Sequence, residues 1–295
     1  MSTVLVDAYS QIFRGFYAIR ELTDSHGEPT NAVFAFAKLL LLLDRNYPSA
    51  HGAMAFDCGK VAFRVELAPD YKANRPPTPE LLLRQLPRIR DFAEAFGWPL
   101  VSAENFEADD LIAGAAGLFA GEDVRIVTSD KDLAQLVDSR VRLLHPAKPS
   151  GFKIWGEAEV TDNFGVTPVQ IVDYLSLLGD ASDNIPGVRS VGGKTAEKIL
   201  GEVGSLEAFF ADPAKVGSEK LRTLLLENRE LIEKNRKLIA LRSTLPPELA
   251  EVAKWSRRTP DWNKVRMLCE QSELKSIIRE LPEPEEKTTP DLFGF

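Results

Sequence analysis

The 295-residue chain is poor in the side chains that build covalent or histidine-based sites, with two cysteines and three histidines. Cys58 and Cys269 are too few for a disulfide framework or a zinc cluster, so we expect a reduced, cytoplasmic environment. His26, His51 and His145 are scattered along the chain. That scatter argues against a histidine-based catalytic triad and against a zinc hydrolase.

Long apolar runs are also missing. The leucine run from Leu39 to Leu43 is far shorter than the roughly 20 residues that span a bilayer. The N-terminus lacks a basic region and places Asp7 directly after its first apolar stretch, so it predicts a first strand and not a signal peptide. With 44% hydrophobic residues, the chain can still build one large or two smaller folded domains.

Net charge does not decide which kind of partner the chain has. Its 44 acidic and 36 basic residues give a formal charge of −8, which by itself disfavours nucleic acid. Nine of the carboxylates, however, form a candidate cluster, and without them 35 acidic residues face 36 basic ones, a balance of +1. The distribution of charge is therefore more informative than its sum.

An alternation of short apolar runs with helical stretches predicts an α/β domain with a mainly parallel sheet. The expected strands are 3–6, 53–56, 124–128 and 141–144, with helices such as 32–45 and 108–119 between them. Three of these strands run into Asp7, Asp57 and Asp130. Because the carboxyl ends of parallel strands meet at one edge of a sheet, we expect these three acids to converge.

The remainder of the chain changes character twice. Residues 60–90 carry a local charge of +4 and several prolines, which predicts a partly irregular basic excursion instead of a long helix. From about Thr167 the sequence becomes mostly helical, with helices expected at 168–178, 194–200, 205–210 and 218–241. After Pro282 the Glu/Pro/Thr-rich composition is typical of disorder.

Six more acids accompany the strand-end aspartates, namely Glu107, Asp109, Asp110, Asp132, Asp180 and Asp183. Taken singly, each suits a helix cap, a turn or the first turn of a helix. Taken together they favour hard divalent cations such as Mg²⁺ or Mn²⁺, because clustered carboxylates repel one another without a cation. Two such ions about 4 Å apart suit the hydrolysis of a phosphodiester.

The sequence GGKT at 192–195 resembles the end of a P-loop but does not have its spacing. Gly187 precedes Gly193 by six residues where the motif requires five, and no apolar strand comes before it. A hairpin at 187–193 that leads into a helix near Lys194 is the better interpretation. Glycine N–H groups and a helix N-terminus can approach a phosphate closely.

Seven sequence blocks occur in a fixed order between about residues 1 and 245: LVD at 5–7, FD at 56–57 with FR at 63–64, YKANR at 71–75, EADD at 107–110, TSDKDL at 128–133, GDASDNIPG at 179–187 and VGGKTA at 191–196. In this order they resemble the flap endonuclease / 5′–3′ exonuclease family, most closely the N-terminal nuclease domain of bacterial DNA polymerase I. No polymerase sequence follows, so we expect either a free-standing nuclease or a piece of a larger chain.

The resemblance implies a PIN-like domain over 1–166 with a basic arch or loop about 66–98. Residues 167–280 are then expected to hold a helical domain of helix–hairpin–helix (H3TH) type, which the resemblance implies, and further C-terminal helices. From its composition, the tail over 281–295 is expected to be disordered. Asp7, Asp57, Glu107, Asp109 and Asp110 would supply one Mg²⁺ site, and Asp130, Asp132, Asp180 and Asp183 a second, some of them through water. Mn²⁺ could substitute for Mg²⁺.

The same resemblance assigns Lys72 and Arg75 a catalytic role beside the scissile phosphate, where positive groups stabilise developing charge. The implied DNA contacts are Arg14, Tyr71, Gly187, Val191, Gly192, Gly193, Lys194, Thr195 and Lys198, with K⁺ on the backbone of the hairpin. Two alternatives stay open from the residues alone. Tyr71 could pack locally instead of stacking on a base, and Arg14 could form a surface salt bridge.

The expected function is that of a Mg²⁺-dependent, structure-specific 5′ nuclease acting on DNA at 5′ flaps and 5′ ends during primer removal and repair. We expect a monomer without membrane attachment. The peptide Asp291-Leu292-Phe293 resembles segments that bind a sliding clamp, with an incidental tail as the alternative. A PIN-like ribonuclease and a non-catalytic DNA-junction binder are the alternative functions.

Overall fold

One mainly parallel sheet organises the first half of the molecule, which is a computed structural model describing residues 2–20, 22–59, 61–147 and 151–283. Its strands are β1 (Ser2–Asp7), β2 (His51–Ala55), β3 (Leu100–Val101), β4 (Asp123–Val127), β5 (Val141–Pro146) and β6 (Phe152–Trp155). Within the described ranges they are ordered β3-β2-β1-β4-β5-β6. β1 to β5 pair in parallel and β6 is antiparallel to β5. The predicted α/β class is confirmed.

Helices make up most of the rest of the described chain. They are α1 (Ala8–Ala18), α2 (Asn31–Asn46), α3 (Ala62–Leu67), α4 (Glu80–Leu83), α5 (Leu86–Ala95), α6 (Ala108–Leu118), α7 (Glu157–Phe164), α8 (Ile171–Leu178), α9 (Gly193–Val203), α10 (Leu206–Ala211), α11 (Glu219–Glu227), α12 (Arg229–Ile239), α13 (Trp262–Gln271) and α14 (Lys275–Ile278). Short 3₁₀ turns lie at 132–136, 168–170, 213–215, 247–249 and 252–255.

The sheet is covered on both faces, which explains its almost continuous apolar strands. Side chains alternate along β1, so Val4 and Val6 pack with α1, α2 and α5 while Leu5 faces α6. The same core that contains Leu5 continues into α8, α9 and α12. The helices α13 and α14, near the end of the described chain, return to the face of the sheet that carries Val4 and Val6, where they pack against α5 and α2.

The basic excursion is shorter than its composition indicates. Residues 68–79 lie between α3 and α4 without helix or strand, which confirms the expected irregular stretch. α5, however, buries Ile89 and Phe92 completely in the core beneath α2. Of this excursion, the irregular stretch and α3 contact the acids described below.

The helical half differs from the sequence expectation at one helix. The segment expected as a single helix over 218–241 is divided into α11 and α12 at Asn228, whose side chain bonds the Leu224 carbonyl. A two-stranded hairpin, β7 (Gly179–Asp180) and β8 (Ile185–Pro186), lies between α8 and α9. This hairpin places the two aspartates of that turn beside the sheet.

No helix within the described residues is both long enough and apolar enough to cross a membrane. Most of the tail expected to be disordered, including Asp291-Leu292-Phe293, lies outside the described residues.

Candidate metal centre

The acids meet where the strand order reverses. From β1 the chain adds β2 and β3 on one side and β4 on the other, which opens a crevice at the carboxyl ends of β1 and β4. Asp7 ends β1, and Asp57 and Asp130 follow β2 and β4 closely. With Asp109, from the first turn of α6, they line a cavity of about 780 Å³.

Uncharged donors hold these carboxylates in place. Asp7 caps α1 through the Ser10 N–H at 3.2 Å and accepts the Thr128 hydroxyl at 3.0 Å. Asp57 accepts the Ala108 N–H at 2.8 Å, which joins the end of β2 to the start of α6. These hydrogen bonds orient the carboxylates without neutralising their charge.

Burial and repulsion between carboxylates raise the pKa of three of the acids, Asp7, Asp109 and Asp132. Burial, then the neighbouring Asp130, raises the pKa of Asp7 to about 7. The same causes raise the pKa of Asp132 to about 7 and that of Asp109 well above its usual value. A bound cation would remove this repulsion. Carboxylate oxygens in such a cluster are the ligands that Mg²⁺ and Mn²⁺ prefer, so the residues present fit a divalent metal.

A second cluster lies beside the first. Asp132, Asp180 and Asp183 each offer a carboxylate oxygen, and these oxygens lie within 4.8 Å of one another. Asp132 Oδ1 is buried and accepts no hydrogen bond from the described residues, with Lys131 Nζ 3.6 Å away. Lys131 also donates to Asp180. An unpartnered buried carboxylate oxygen is a further feature that a metal ion would satisfy.

Basic side chains from the irregular stretch cover the acids. Lys72 Nζ donates to Glu107 Oε1 at 2.7 Å and lies 3.8 Å from Asp183, while Arg75 donates to Asp183 at 2.5 Å. Both basic residues line the cavity. Together they place two positive charges directly beside the carboxylates.

Tyr71 braces the acids from inside the protein. It is 7% exposed, and its hydroxyl donates to Glu107 and to Asp183 at 3.1 and 3.0 Å. Burial and the two carboxylates raise the pKa of the Tyr71 hydroxyl above its usual value, so it remains a donor. This geometry matches the local-packing interpretation of Tyr71 and not a surface on which a base stacks.

The first expected ligand set is divided by the fold. Asp7, Asp57 and Asp109 line the cavity together with Asp130, which the resemblance assigned to the other metal. Glu107 and Asp110 instead contact basic side chains of the protein. Burial alone would raise the pKa of Asp110, but the hydrogen bonds and charge of Arg64 lower it.

The hairpin residues predicted to contact DNA have different environments. Gly187 is required by packing, because a Cβ there would lie 2.0 Å from the Leu178 carbonyl oxygen, and Val191 is buried. Gly192 has open space around it and caps α9. The other predicted contacts lie near the start of α9, namely Gly193, Lys194, Thr195 and Lys198. The Lys194 side chain is 94% exposed.

Sequence reasoning missed an aromatic row on α1. Tyr9, Phe13 and Tyr17 follow one another at i+4 spacing, with ring centroids 6.2 and 6.4 Å apart, and all three line the cavity. Arg14 is exposed on the same helix and also lines the cavity. The i+4 spacing of the rings was the signal available in the sequence.

Adding a divalent metal ion to the metal-free protein is expected to raise its free energy of unfolding far more at about pH 8 than at about pH 5.5. Folded Asp7 and Asp132 keep protons up to about pH 7 that the unfolded chain releases near pH 4, so metal-free stability falls as pH rises across this window. At one fixed Mn²⁺ concentration, set to 100 times the Kd at pH 8, the gain at pH 8 is about 2.7 kcal/mol, or about 4 °C in Tm for a chain of this length, and it is smaller at pH 5.5. Thermal scans after EDTA dialysis measure this, and equal shifts at both pH values would contradict it.

Comparison with known proteins covers nearly the whole chain. Residues 2–165 match the 5′-3′ exonuclease N-terminal resolvase-like domain, and residues 166–263 match the 5′-3′ exonuclease C-terminal SAM fold. A 5′-3′ exonuclease of Aquifex aeolicus (strain VF5) is 35% identical over 279 residues, 94% of each chain. A thermostable DNA polymerase I of Thermus thermophilus is 39% identical over 94% of this chain. The chain spans about a third of that polymerase's length, 32%.

Solved structures share the fold at low sequence identity. Phage T5 5′-exonuclease with bound zinc has a TM-score of 0.69 at 20% identity, covering 95% of this chain and 99% of that one. The catalytic core of Rad2 in complex with a DNA substrate has a TM-score of 0.63 at 13% identity, covering 96% and 92%. Since both family domains are matched in order along the chain, the protein belongs to the 5′-3′ exonuclease family.

Proposed function

We propose that this protein is a Mg²⁺-dependent, structure-specific 5′ nuclease that hydrolyses DNA phosphodiesters at 5′ flaps and 5′ ends. The observation that carries the proposal is a single cavity with a floor of carboxylates and a rim of basic side chains. Asp7, Asp57, Asp109 and Asp130 form the floor, and Lys72 and Arg75 stand on the rim. The relative from Aquifex aeolicus, similar in length, is named as a 5′-3′ exonuclease.

The chemistry depends on two sets of carboxylates. The cavity acids would hold one Mg²⁺, and Asp132, Asp180 and Asp183 the other. Bound divalent ions supply an activated water and charge stabilisation for a leaving oxygen. Lys72 and Arg75, released from Glu107 and Asp183, would hold the scissile phosphate and offset its developing negative charge.

The aromatic row on α1 supports a single-stranded arm in the cavity. It begins beside Asp7 and ends at Tyr17, which is 64% exposed. Aromatic rings stack on any base, so such a row binds single strands without reading their sequence. Pro76 and Thr78 of the irregular stretch also line this cavity. This arrangement suits a frayed 5′ end or a flap better than continuous duplex.

Duplex DNA would lie on the hairpin and the start of α9. Exposed glycine backbone, a helix N-terminus and the exposed side chains of Lys194 and Lys198 present donors and positive charge on one surface. We also propose that the backbone of this hairpin binds K⁺. Contacts of this kind fix the register of a duplex without selecting its sequence.

Lys194→Ala is expected to weaken duplex binding and to lower the salt slope by about one unit, as the loss of one phosphate contact predicts. Lys254→Ala is the matched control. Lys254 is exposed in the turn that precedes Ser256, which bridges the first residue of β2 at the amino edge of the sheet. Titration of a labelled duplex over a series of salt concentrations measures the slope. An unchanged slope in Lys194→Ala would count against the contact.

We also propose a biological role for this activity. The protein would remove RNA primers and displaced flaps during replication and repair in the bacterial cytoplasm. We propose a monomer as the working unit, and a sliding-clamp contact through the Asp291-Leu292-Phe293 peptide.

Cleavage of a 5′-flap duplex labelled at its 3′ end, with Mg²⁺ and with EDTA, tests the function. A discrete product at the junction that requires Mg²⁺ is expected. Parallel all-RNA flaps distinguish a PIN-like ribonuclease, which would cleave them preferentially. Tight Ca²⁺-dependent flap binding without any Mg²⁺-dependent product would instead indicate a junction-binding protein.

A further inference from the structure

Arg64 is a buried arginine that contacts two acids of the candidate metal centre, Glu107 and Asp110. It lies on α3 with 1% of its surface exposed. Its guanidinium donates to both oxygens of Asp110 at 2.8 and 2.9 Å and to Glu107 Oε2 at 3.0 Å. A two-pronged contact of this kind fixes both planes, so Arg64 and Asp110 form a rigid unit.

Asp110 has no oxygen left to offer a metal ion in this arrangement. Besides the Arg64 contacts, Oδ1 accepts the Arg242 N–H at 3.0 Å, and Oδ2 lies 3.3 Å from the Arg242 guanidinium. The residue is completely buried. Its charge is balanced inside the protein by two arginines.

Glu107 is held differently, with one oxygen anchored and the other turned to the cavity. Oε2 accepts from Arg64 and from the Tyr71 hydroxyl. Oε1 accepts from Lys72, and Lys72 lines the cavity. An ammonium group therefore stands on the side of Glu107 where a metal cation would approach.

We propose that Arg64 is a positioning residue that orients Glu107 toward the metal centre, and that Asp110 is the counter-ion of Arg64 and not a metal ligand. The proposal rests on the metal-dependent function above. Outer residues that orient ligands typically change metal affinity 10- to 100-fold when mutated. Here the orienting residue also donates to the Leu238 carbonyl near the end of α12, so the helical half supports the same carboxylate.

Mn²⁺ titration by calorimetry tests the assignment without depending on turnover. Arg64→Lys keeps the charge but loses the fork, and it should weaken the tighter Mn²⁺ site by about 10-fold or more. Asp110→Asn should weaken it no more than that. The double variant should match Arg64→Lys alone, because Asp110 acts only through Arg64.

The matched control is Arg257→Lys. The Arg257 side chain is also almost buried, stacked on Trp98 and 3.7 Å from Asp44. Its backbone N–H donates to the Ala50 carbonyl just before β2, away from the acids of the site. Its variant should lower Tm while leaving the Mn²⁺ affinity within about twofold of the wild type. A general loss of stability would therefore not imitate the expected result.

Four outcomes would overturn the proposal. Arg64→Lys could bind Mn²⁺ as tightly as the wild type, or the two single effects could add fully in the double variant, which would make Asp110 an independent ligand. A wild-type protein that binds no Mn²⁺ would remove the proposed function as well. If the variants do not fold, a wild-type crystal structure with Mn²⁺ decides. The two-pronged contact between Arg64 and Asp110 should persist in that structure, and an Asp110 oxygen about 2.1 Å from the ion would refute the proposal.

Discussion

Asp130→Asn is expected to reduce flap hydrolysis by about 1000-fold or more while flap binding remains. Asp130 lies against Asp7 and Asp109 in the cavity and also raises the pKa of Asp132, so it connects the two acid clusters. Removing one such charge from the proposed two-metal site would cost several kcal/mol of transition-state stabilisation. Single-turnover cleavage and Ca²⁺-supported flap binding measure the two quantities separately.

The same variant should be more stable than the wild type when metal is absent, because one repulsive carboxylate has gone. Low turnover combined with a higher metal-free Tm distinguishes a metal-site defect from misfolding. Asp162→Asn, on the exposed face of α7, removes the same charge elsewhere and should behave as the wild type. Near-normal cleavage by Asp130→Asn would refute its place in the metal centre.

Lys72→Met is expected to lower the single-turnover rate by about 100-fold, with a much smaller effect on flap affinity. The substitution keeps the length and apolar stem of the side chain but removes the charge that we propose lies beside the scissile phosphate. Lys72 is held at φ 56°, a strained left-handed conformation, and its N–H donates to the Asp183 carbonyl. That strain indicates that the surrounding structure fixes this residue in place.

Lys254→Met provides the matched control at the opposite edge of the sheet, where the same change should leave the rate unaltered. Rates are compared at saturating Mg²⁺, so that any change in metal affinity through Glu107 does not contribute. A rate for Lys72→Met within about threefold of the wild type would show that Lys72 only neutralises Glu107.

Much of the fold is predictable because β1 and β2 are almost completely buried, and β4 and β5 bury their apolar residues, so all four appear as apolar runs. Short elements escape this logic. β3 has two residues, and β6 is an edge strand with Ile154 48% exposed, so neither shows a run or an alternation. The division of 218–241 at Asn228 leaves no proline or glycine as a signal.

The acids of the site were likewise predictable, but not the direction in which each one points. Glu107 and Asp110 are three residues apart and do share a helix face, as their spacing predicts. That face meets Arg64, more than forty residues earlier in the chain, and α6 turns Asp109 to the cavity instead. The sequence pattern of one helix cannot show which basic side chain, distant in the chain, pairs with a given carboxylate.

The return of α13 and α14 to the first face of the sheet has a consequence for how the chain folds during synthesis. The face formed by Val4 and Val6 shares its core with Val265 and Ile277, so its last contacts come from residues synthesised about 260 positions later. Contacts between such distant parts of a chain slow folding. The domain encoded first is therefore completed last, and the nascent N-terminal half leaves the ribosome with an open apolar face.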